Sequence, residues 1–347
     1  MIPSSLAEAF MFQSKACVVL GSPFMGQLCR LLANRDWPDT PLRQRYFAWA
    51  GDIGPSAQSL PLRLTGGLHA LALSGDVLSA SYPPHVVDDD ILWSAVGDAM
   101  LRENVGLNSW VDSPPQTNEV RRAAVLIAVG HFLANQYGLP IRLSELGASS
   151  GLNLMWDKYG LDIDGARYGP SEATVVLSPA WTGPLPPTTT PVVAARRGVD
   201  LNPLNPKLSK DALRLRAYLW PDQPNRLKLT EAAIAGFDAT VDQADAIDWL
   251  ADRLDPEPGT THLIYHTIAW QYFPAEVQAR GKAIIATAGA NTTPQAPLAW
   301  FGMEPDGRGP GAAMVLRLWP GNLTINLGRV DFHGRWVQWQ TASSSVH

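Results

Sequence analysis

The chain has 347 residues, 46% of them hydrophobic and only 17% charged, with a net charge of −5. That is enough apolar material for two cores, or for one large α/β domain with an appendage, and it excludes a disordered chain. The acidic balance gives no reason to expect nucleic acid as a partner, and no apolar run approaches the ~20 residues that a bilayer span requires.

Residues 1–5 show neither the charged nor the apolar segment of a signal peptide. The two cysteines, Cys17 and Cys29, lack metal-ligand spacing and are too few for a disulfide framework, so a reducing, cytoplasmic setting is expected. Residues 1–113 read as an all-α domain. Apolar residues recur at helical spacing over 10–32, broken at Gly21-Ser22-Pro23, where Ser22 can cap a second helix with Pro23 at its first position. Leu60–Leu73 and residues 89–103 are further helices. His69, set among leucines, reads as a core histidine.

Residues 114–340 read as a second, α/β domain. Thr117 or Asn118 can cap a long helix over 117–137, with Glu119 at its positive end. Gly138-Leu139-Pro140 then turns the chain directly into a strand at Ile141. A helix of ~20 residues at ~1.5 Å per residue outruns a short strand at ~3.3 Å per residue. Its N-terminus, with Gln116, Asn118 and Glu119, should therefore overhang the C-terminal edge of the sheet, where open α/β sheets bind ligands. The strand ends in Glu145, followed by a turn of small residues, Gly147-Ala148-Ser149-Ser150-Gly151, and a short helix to about Tyr159. Residues 160–191, rich in Gly, Pro and Thr, read as an inserted hairpin or arm. A second parallel strand ends near Asp200. Helices over 210–219 and 226–235, a short strand before Asp245, a helix over 246–254 and a strand ending at His266 follow. A helix over 274–286 leads to strands over 298–303, 312–319 and 323–339, the last folded at Asp331-Phe332-His333-Gly334. The tail 341–347 should fray. Strands alternating with helices call for a mostly parallel sheet covered on both faces.

No nucleophilic triad, clustered metal spacing or Walker loop is present. What remains is a set of polar groups at strand ends: Glu145, Asp200, Asp245, His266 and Glu304. In a parallel sheet these share one edge. A neutral imidazole at His266 can accept a proton from a substrate, with Glu304 either orienting it or serving as a solvated loop acid. Trp270 is either a cation-binding aromatic of the substrate pocket or a core residue.

Several segments together resemble an uncharacterised bacterial domain-of-unknown-function family: Gln116-Thr117-Asn118-Glu119-Val120, Glu145-Leu146-Gly147-Ala148-Ser149-Ser150-Gly151-Leu152-Asn153-Leu154, Arg197-Gly198-Val199-Asp200-Leu201-Asn202-Pro203 and Tyr265-His266-Thr267. The Glu145 segment is also similar to motif I of the class I S-adenosylmethionine-dependent methyltransferases, E/D-x-G-x-G-x-G, with Ser149 at the middle glycine. That similarity implies a Rossmann-like, mostly parallel seven-stranded sheet, with Glu145, Gly147, Ser149, Gly151, Asp200 and Asp245 holding S-adenosylmethionine and no metal. Asp200 lies well beyond the ~20-residue separation usual for a ribose-binding acid, the excess matching the 160–191 insertion. The Asn/Asp-Pro-Pro-Tyr of amino-group methylation is replaced by Tyr265-His266-Thr267. The expected function is methylation of a small molecule, with His266 and Glu304 catalytic and Gln116, Asn118, Glu119 and Trp270 around the substrate, in a pocket between the two domains. The alternatives are a non-catalytic binding or scaffold protein on the same fold and, from a different reading of the glycines, a dinucleotide-dependent oxidoreductase.

Overall fold

The computed structural model describes residues 2–55, 57–340 and 344–346. Along the chain the first helices are α1 (Ser4–Val19), α2 (Pro23–Asn34), α3 (Pro41–Phe47), α4 (Leu60–Leu73), α5 (Asp89–Arg102) and α6 (Asn104–Trp110). Then come α7 (Ala123–Tyr137), β1 (Ile141–Leu146), β2 (Gly160–Ile163), β3 (Ala166–Tyr168), β4 (Val176–Leu177), β5 (Ala180–Thr182) and β6 (Val193–Asp200). The remainder is α8 (Ser209–Ala217), α9 (Pro224–Ala235), β7 (Val241–Gln243), α10 (Ala246–Ala251), β8 (Thr261–Thr267), α11 (Ala275–Ala290), β9 (Leu298–Glu304), β10 (Ala312–Trp319), β11 (Leu323–Val330), β12 (Trp336–Trp339) and β13 (Ser344–Val346). Among the described residues, no helix is long and apolar enough to cross a membrane.

The chain divides into two compact units: Met1–Thr117 with Leu208–Lys228, and Asn118–Lys207 with Leu229–His347. The first is helical. Ser22 caps α2 by accepting from the Met25 amide, with Pro23 at the first helical position, as its sequence requires. Residues 208–228, expected in the α/β domain, belong with these helices instead. The reason is packing: the Tyr218 ring lies so close to Gly66 of α4 that a Cβ there would fall 2.4 Å from it. Asp222 accepts from the Ser22 hydroxyl and the Phe24 amide. His69 is a buried core histidine whose Nδ1 lies 3.0 Å from the Ala217 carbonyl.

The second unit is mixed α/β around a large, mostly parallel sheet. Its hydrogen-bonded path has nine strands, β5-β12-β11-β10-β9-β8-β1-β6-β7, with β13 paired to β11 off that path. Seven strands were expected. Beyond the seven implied by the methyltransferase resemblance stand β12, the second arm of the hairpin expected at Asp331, and β5, which the 160–191 arm contributes beside it. The same arm also folds a small sheet, β3-β2-β4. The tail, expected to fray, pairs residues 344–346 with β11, while 341–343 and 347 lie outside the described residues.

The parallel part is β7-β6-β1-β8-β9. Taken in the order in which its strands follow along the chain, it reads third, second, first, fourth, fifth. The order reverses between β1 and β8, which share a register that sets Glu145 opposite Tyr265. β9, β10, β11 and β12 then continue as an antiparallel run. α7 is apolar nearly all round and its residues are almost all buried, the pattern of a central helix rather than a surface one.

The tightest packing on α7 is at Gly130, where a Cβ would lie 2.2 Å from the Trp156 ring. Alanine is favoured over glycine inside a helix by about 1 kcal/mol. A rigid indole at that distance cannot yield, and overpacking costs about 1–3 kcal/mol. Gly130→Ala should therefore lower the melting temperature despite the better helix former. A rise on thermal denaturation would show that Trp156 is free to move.

Candidate functional site

The turn over 147–151 leaves the C-terminal end of β1 with positive φ at Gly147 (68°), Ser149 (55°) and Gly151 (78°). Glycine adopts this region freely and serine does not. The strain at Ser149 is offset by Asp200, at the tip of the neighbouring strand β6, whose Oδ2 accepts from the Ser149 amide at 2.8 Å. Its Oδ1 accepts from the Asn202 amide at 2.9 Å. The Ser149 hydroxyl is buried and hydrogen-bonds to no protein atom.

Residues before α7 reach this turn, though not as caps. α7 begins at Ala123, preceded by a 3₁₀ turn over Val120–Arg122, so the expected helix over 117–137 starts later. Neither Thr117 nor Asn118 caps it. Asn118 Oδ1 instead accepts from the Ser150 hydroxyl (2.8 Å) and the Leu152 amide (2.7 Å). Glu119 is buried, pairs with Arg121 at 3.0 Å and lends its carbonyl to Asn153. Arg122 donates to the Thr267 carbonyl at the end of β8 and to Phe332. The segment after the turn is a 3₁₀ helix, Leu152–Lys158, rather than the α-helix expected. Gln116 falls in the helical unit.

Glu145 is fully inside the sheet. Burial pushes its carboxyl up to about 8, against the opposing hydrogen bond from Tyr265, whose hydroxyl lies 3.3 Å from Oε2; the charge of Asp200 adds to the rise. It is thus a protonated acid at neutral pH. Tyr265 was not expected here. Only the β1–β8 register, invisible before the strands are paired, sets it beside Glu145.

His266 and Glu304, on the adjacent strands β8 and β9, form a pair: Nδ1 to Oε1 is 2.7 Å. The same Oε1 accepts from the amides of Ala269 (2.9 Å) and Trp270 (3.0 Å). Burial opposes charge on Glu304, but His266 and the two amides hold its carboxyl below the usual range. The imidazole stacks on Trp270, with centroids 4.9 Å apart, and lies over Gly302; it is only 3% exposed. Nε2 is left without a protein partner and without solvent. Trp270 is a packed aromatic, in contact with His266, Phe273 and Trp300. Ile268, a β-branched residue, is held at φ 55°, a conformation of real cost. The loop over 268–273 therefore owes its shape to Glu304. It closes on the glycine turn: a Cβ at Gly147 would sit 2.6 Å from that of Ala269.

Asp245 caps α10, its Oδ1 accepting from the Ile247 and Asp248 amides, and pairs with Arg280. The structure therefore gathers Glu145, Gly147, Ser149, Gly151, Asp200, Asn118, Glu119, His266, Trp270 and Glu304 around the ends of β6, β1, β8 and β9, with Asp245 at the helix start beyond β7. Among the described residues, no group of three or more His, Cys, Asp or Glu is placed to hold a metal.

These features define an α/β protein whose glycine turn lies at the reversal of strand order, backed by a buried His–Glu pair. The chain belongs to the family described as "Uncharacterized protein conserved in bacteria (DUF2332)", whose model matches residues 7–339. No curated protein and no solved structure matches it.

Two outcomes follow from the two acids. A folded-state pKa raised from 4.5 to about 8 makes Glu145 contribute stability that is fully present below about pH 4.5 and is lost as pH rises through about 8. Glu145→Gln should flatten that slope in denaturation midpoints measured from about pH 5 to about pH 9; an unchanged slope would mean that Glu145 is ionised. Glu304→Ala leaves three buried donors unpaired and should cost about 3–5 kcal/mol. Hydrogen exchange should accelerate first at the Ala269 and Trp270 amides, and protection retained at both would deny Glu304 its hold on the loop.

Proposed function

We propose that the α/β unit is a Rossmann-like module of class I methyltransferase type, and that the protein methylates a small molecule, in the cytoplasm, using S-adenosylmethionine. The observation carrying this reading is the strand order. The turn over 147–151 follows the first strand where the order third, second, first, fourth, fifth reverses, and open α/β sheets bind their ligands outside strand C-termini at that point. The antiparallel run from β9 to β12 departs from the seven-stranded sheet of that fold.

The residues fit a nucleoside cofactor on one side of the turn. The Ser149 hydroxyl is free, and Ser150 lines a cavity of about 320 Å³ with residues 203–207 and 239–241. On the other side Ala269 fills the place beside Gly147, so the 268–273 loop has to withdraw. Gly147, Ser149, Gly151 and Asp200 would hold the cofactor, and Asp245 would serve it only while also capping α10. When bound, S-adenosylmethionine supplies an electrophilic methyl group. His266 is the base: Nδ1–H is committed to Glu304, which fixes the tautomer and leaves Nε2 to accept a proton. Asn118, Glu119 and Trp270 border the acceptor. The net charge of −5 favours a small acceptor over a polyanion.

A second reading, a binding or scaffold protein on this fold, is favoured by the packing of Gly147 against Ala269 and of Gly151 against Val241.

Titration calorimetry separates the two. S-adenosylhomocysteine should bind and NAD should not. Asp200→Ala should weaken the former at least about tenfold, through loss of a charge-assisted contact. No heat with S-adenosylhomocysteine in the wild type sinks the methyltransferase reading, and binding of NAD alone would replace it with a dinucleotide enzyme.

A further inference from the structure

The first helix, α1, has two unlike faces. Leu6, Phe10, Gln13, Ser14 and Cys17 are buried. Ser14 ties that face to α2, its hydroxyl donating to the Gly26 carbonyl at 2.7 Å. The opposite face carries Glu8, Phe12, Lys15 and Val19, all exposed. Phe12 is 59% exposed and Val19 78%. Their spacing of four, three and four residues puts them in one stripe along the outside of the helix.

A solvated helix face is normally polar, whereas a helix that is apolar on both sides has both sides covered. α1 has only two charged residues in its 16, Glu8 and Lys15, and both stand in this stripe between the apolar ones. They do not serve each other. Residues seven apart lie two turns apart, about 10.5 Å along the axis, beyond the reach of an i,i+4 pair. No charged residue stands three or four positions from either of them in the sequence. Among the described residues neither forms an ion pair.

The order of the charges defines the partner. A two-fold axis midway between residues 11 and 12 lays an identical helix antiparallel across the stripe. Position 8 then faces position 15. Glu8 meets Lys15 of the second copy, Lys15 meets its Glu8, and the two Phe12 rings come together at the axis. Val19 falls over Ser4 and Ser5 of the second copy, which are also exposed. A parallel alignment in register would instead set Glu8 against Glu8. A two-fold contact needs a surface complementary to itself, and this stripe is one. An anionic membrane would call for an excess of cations, and here the two charges cancel.

We propose that the outer face of α1 is a homodimerisation surface, on which α1 of a second copy of this chain packs antiparallel. One helix pair makes a small contact, below the roughly 1,200 Å² of stable complexes, so the dimer is weak and reversible. The inference does not depend on the methyltransferase reading.

The test is sedimentation equilibrium of the whole chain at low salt. From about 1 to about 300 μM, the range in which weak complexes form, the average mass should rise toward twice that of the monomer. Glu8→Lys and Lys15→Glu each set like charges opposite one another at both ends of the contact. Each alone should weaken association at least about tenfold. Mixed in equal amounts, each variant supplies the charge that the other lacks, and the mixture should associate as tightly as the wild type. Damage to the fold of either variant would not be repaired by mixing. If one of them does not fold, Phe12→Ser, which removes the ring at the axis, should abolish association with its circular dichroism unchanged. A wild type that stays monomeric throughout, undiminished association in the folded variants, or a mixture no tighter than its components would each overturn the proposal.

Discussion

One carboxylate oxygen fixes the geometry at the edge of the sheet. Oε1 of Glu304 accepts from His266, Ala269 and Trp270 together. Three donors on one oxygen favour the ionised carboxylate and offset the cost of burying its charge. The loop between the end of β8 and α11 is therefore tied to the end of β9. Its costly residue, Ile268 at φ 55°, donates its own amide to the Met303 carbonyl and is followed by the two amides that Glu304 holds. The glycine turn is then shaped in turn, since Ala269 sets how close that loop approaches Gly147.

The two buried acids of this edge behave oppositely for a clear reason. Glu304 has three donors on one oxygen and keeps its charge. Glu145 has one long hydrogen bond from Tyr265 and a negative neighbour in Asp200, and keeps its proton. Burial alone is shared by both; the donor count decides the outcome. The neutral Glu145 spares the centre of the sheet an unpaired charge, which would be far more costly than a protonated acid.

Much of this was legible in the sequence, where local signals agree. Ser22-Pro23, Leu60–Leu73, β10 and the strand end at Asp200 all follow from caps, periodicity and turns, and β8 runs one residue past the expected end at His266. The glycine turn and its acids were visible as a pattern of small residues after an apolar run. What escaped depends on pairing across long separations. The Tyr265–Glu145 contact needs the β1–β8 register, and the Glu304 hub needs β8 beside β9. The start of α7 was misjudged because Asn118 has two possible partners: its side chain takes the turn at Ser150 and Leu152 rather than its own helix. Residues 208–228 carry a helical pattern that says nothing of which core receives it. Tyr218 against Gly66 decides that, through shape alone.

The helical unit is discontinuous in the chain, and this affects the order in which the protein is made. During synthesis α1 to α6 emerge first, yet Tyr218 and Asp222, which close on Gly66 and Ser22, follow only after residues 118–207. At ~5–20 residues per second that delay is on the order of ten seconds. For that interval the nascent helices hold an incomplete core, with the face of α4 that receives Tyr218 open to water. A ribosome-bound intermediate of this kind is a natural client for chaperones, and a fragment ending at residue 117 would carry the same defect permanently.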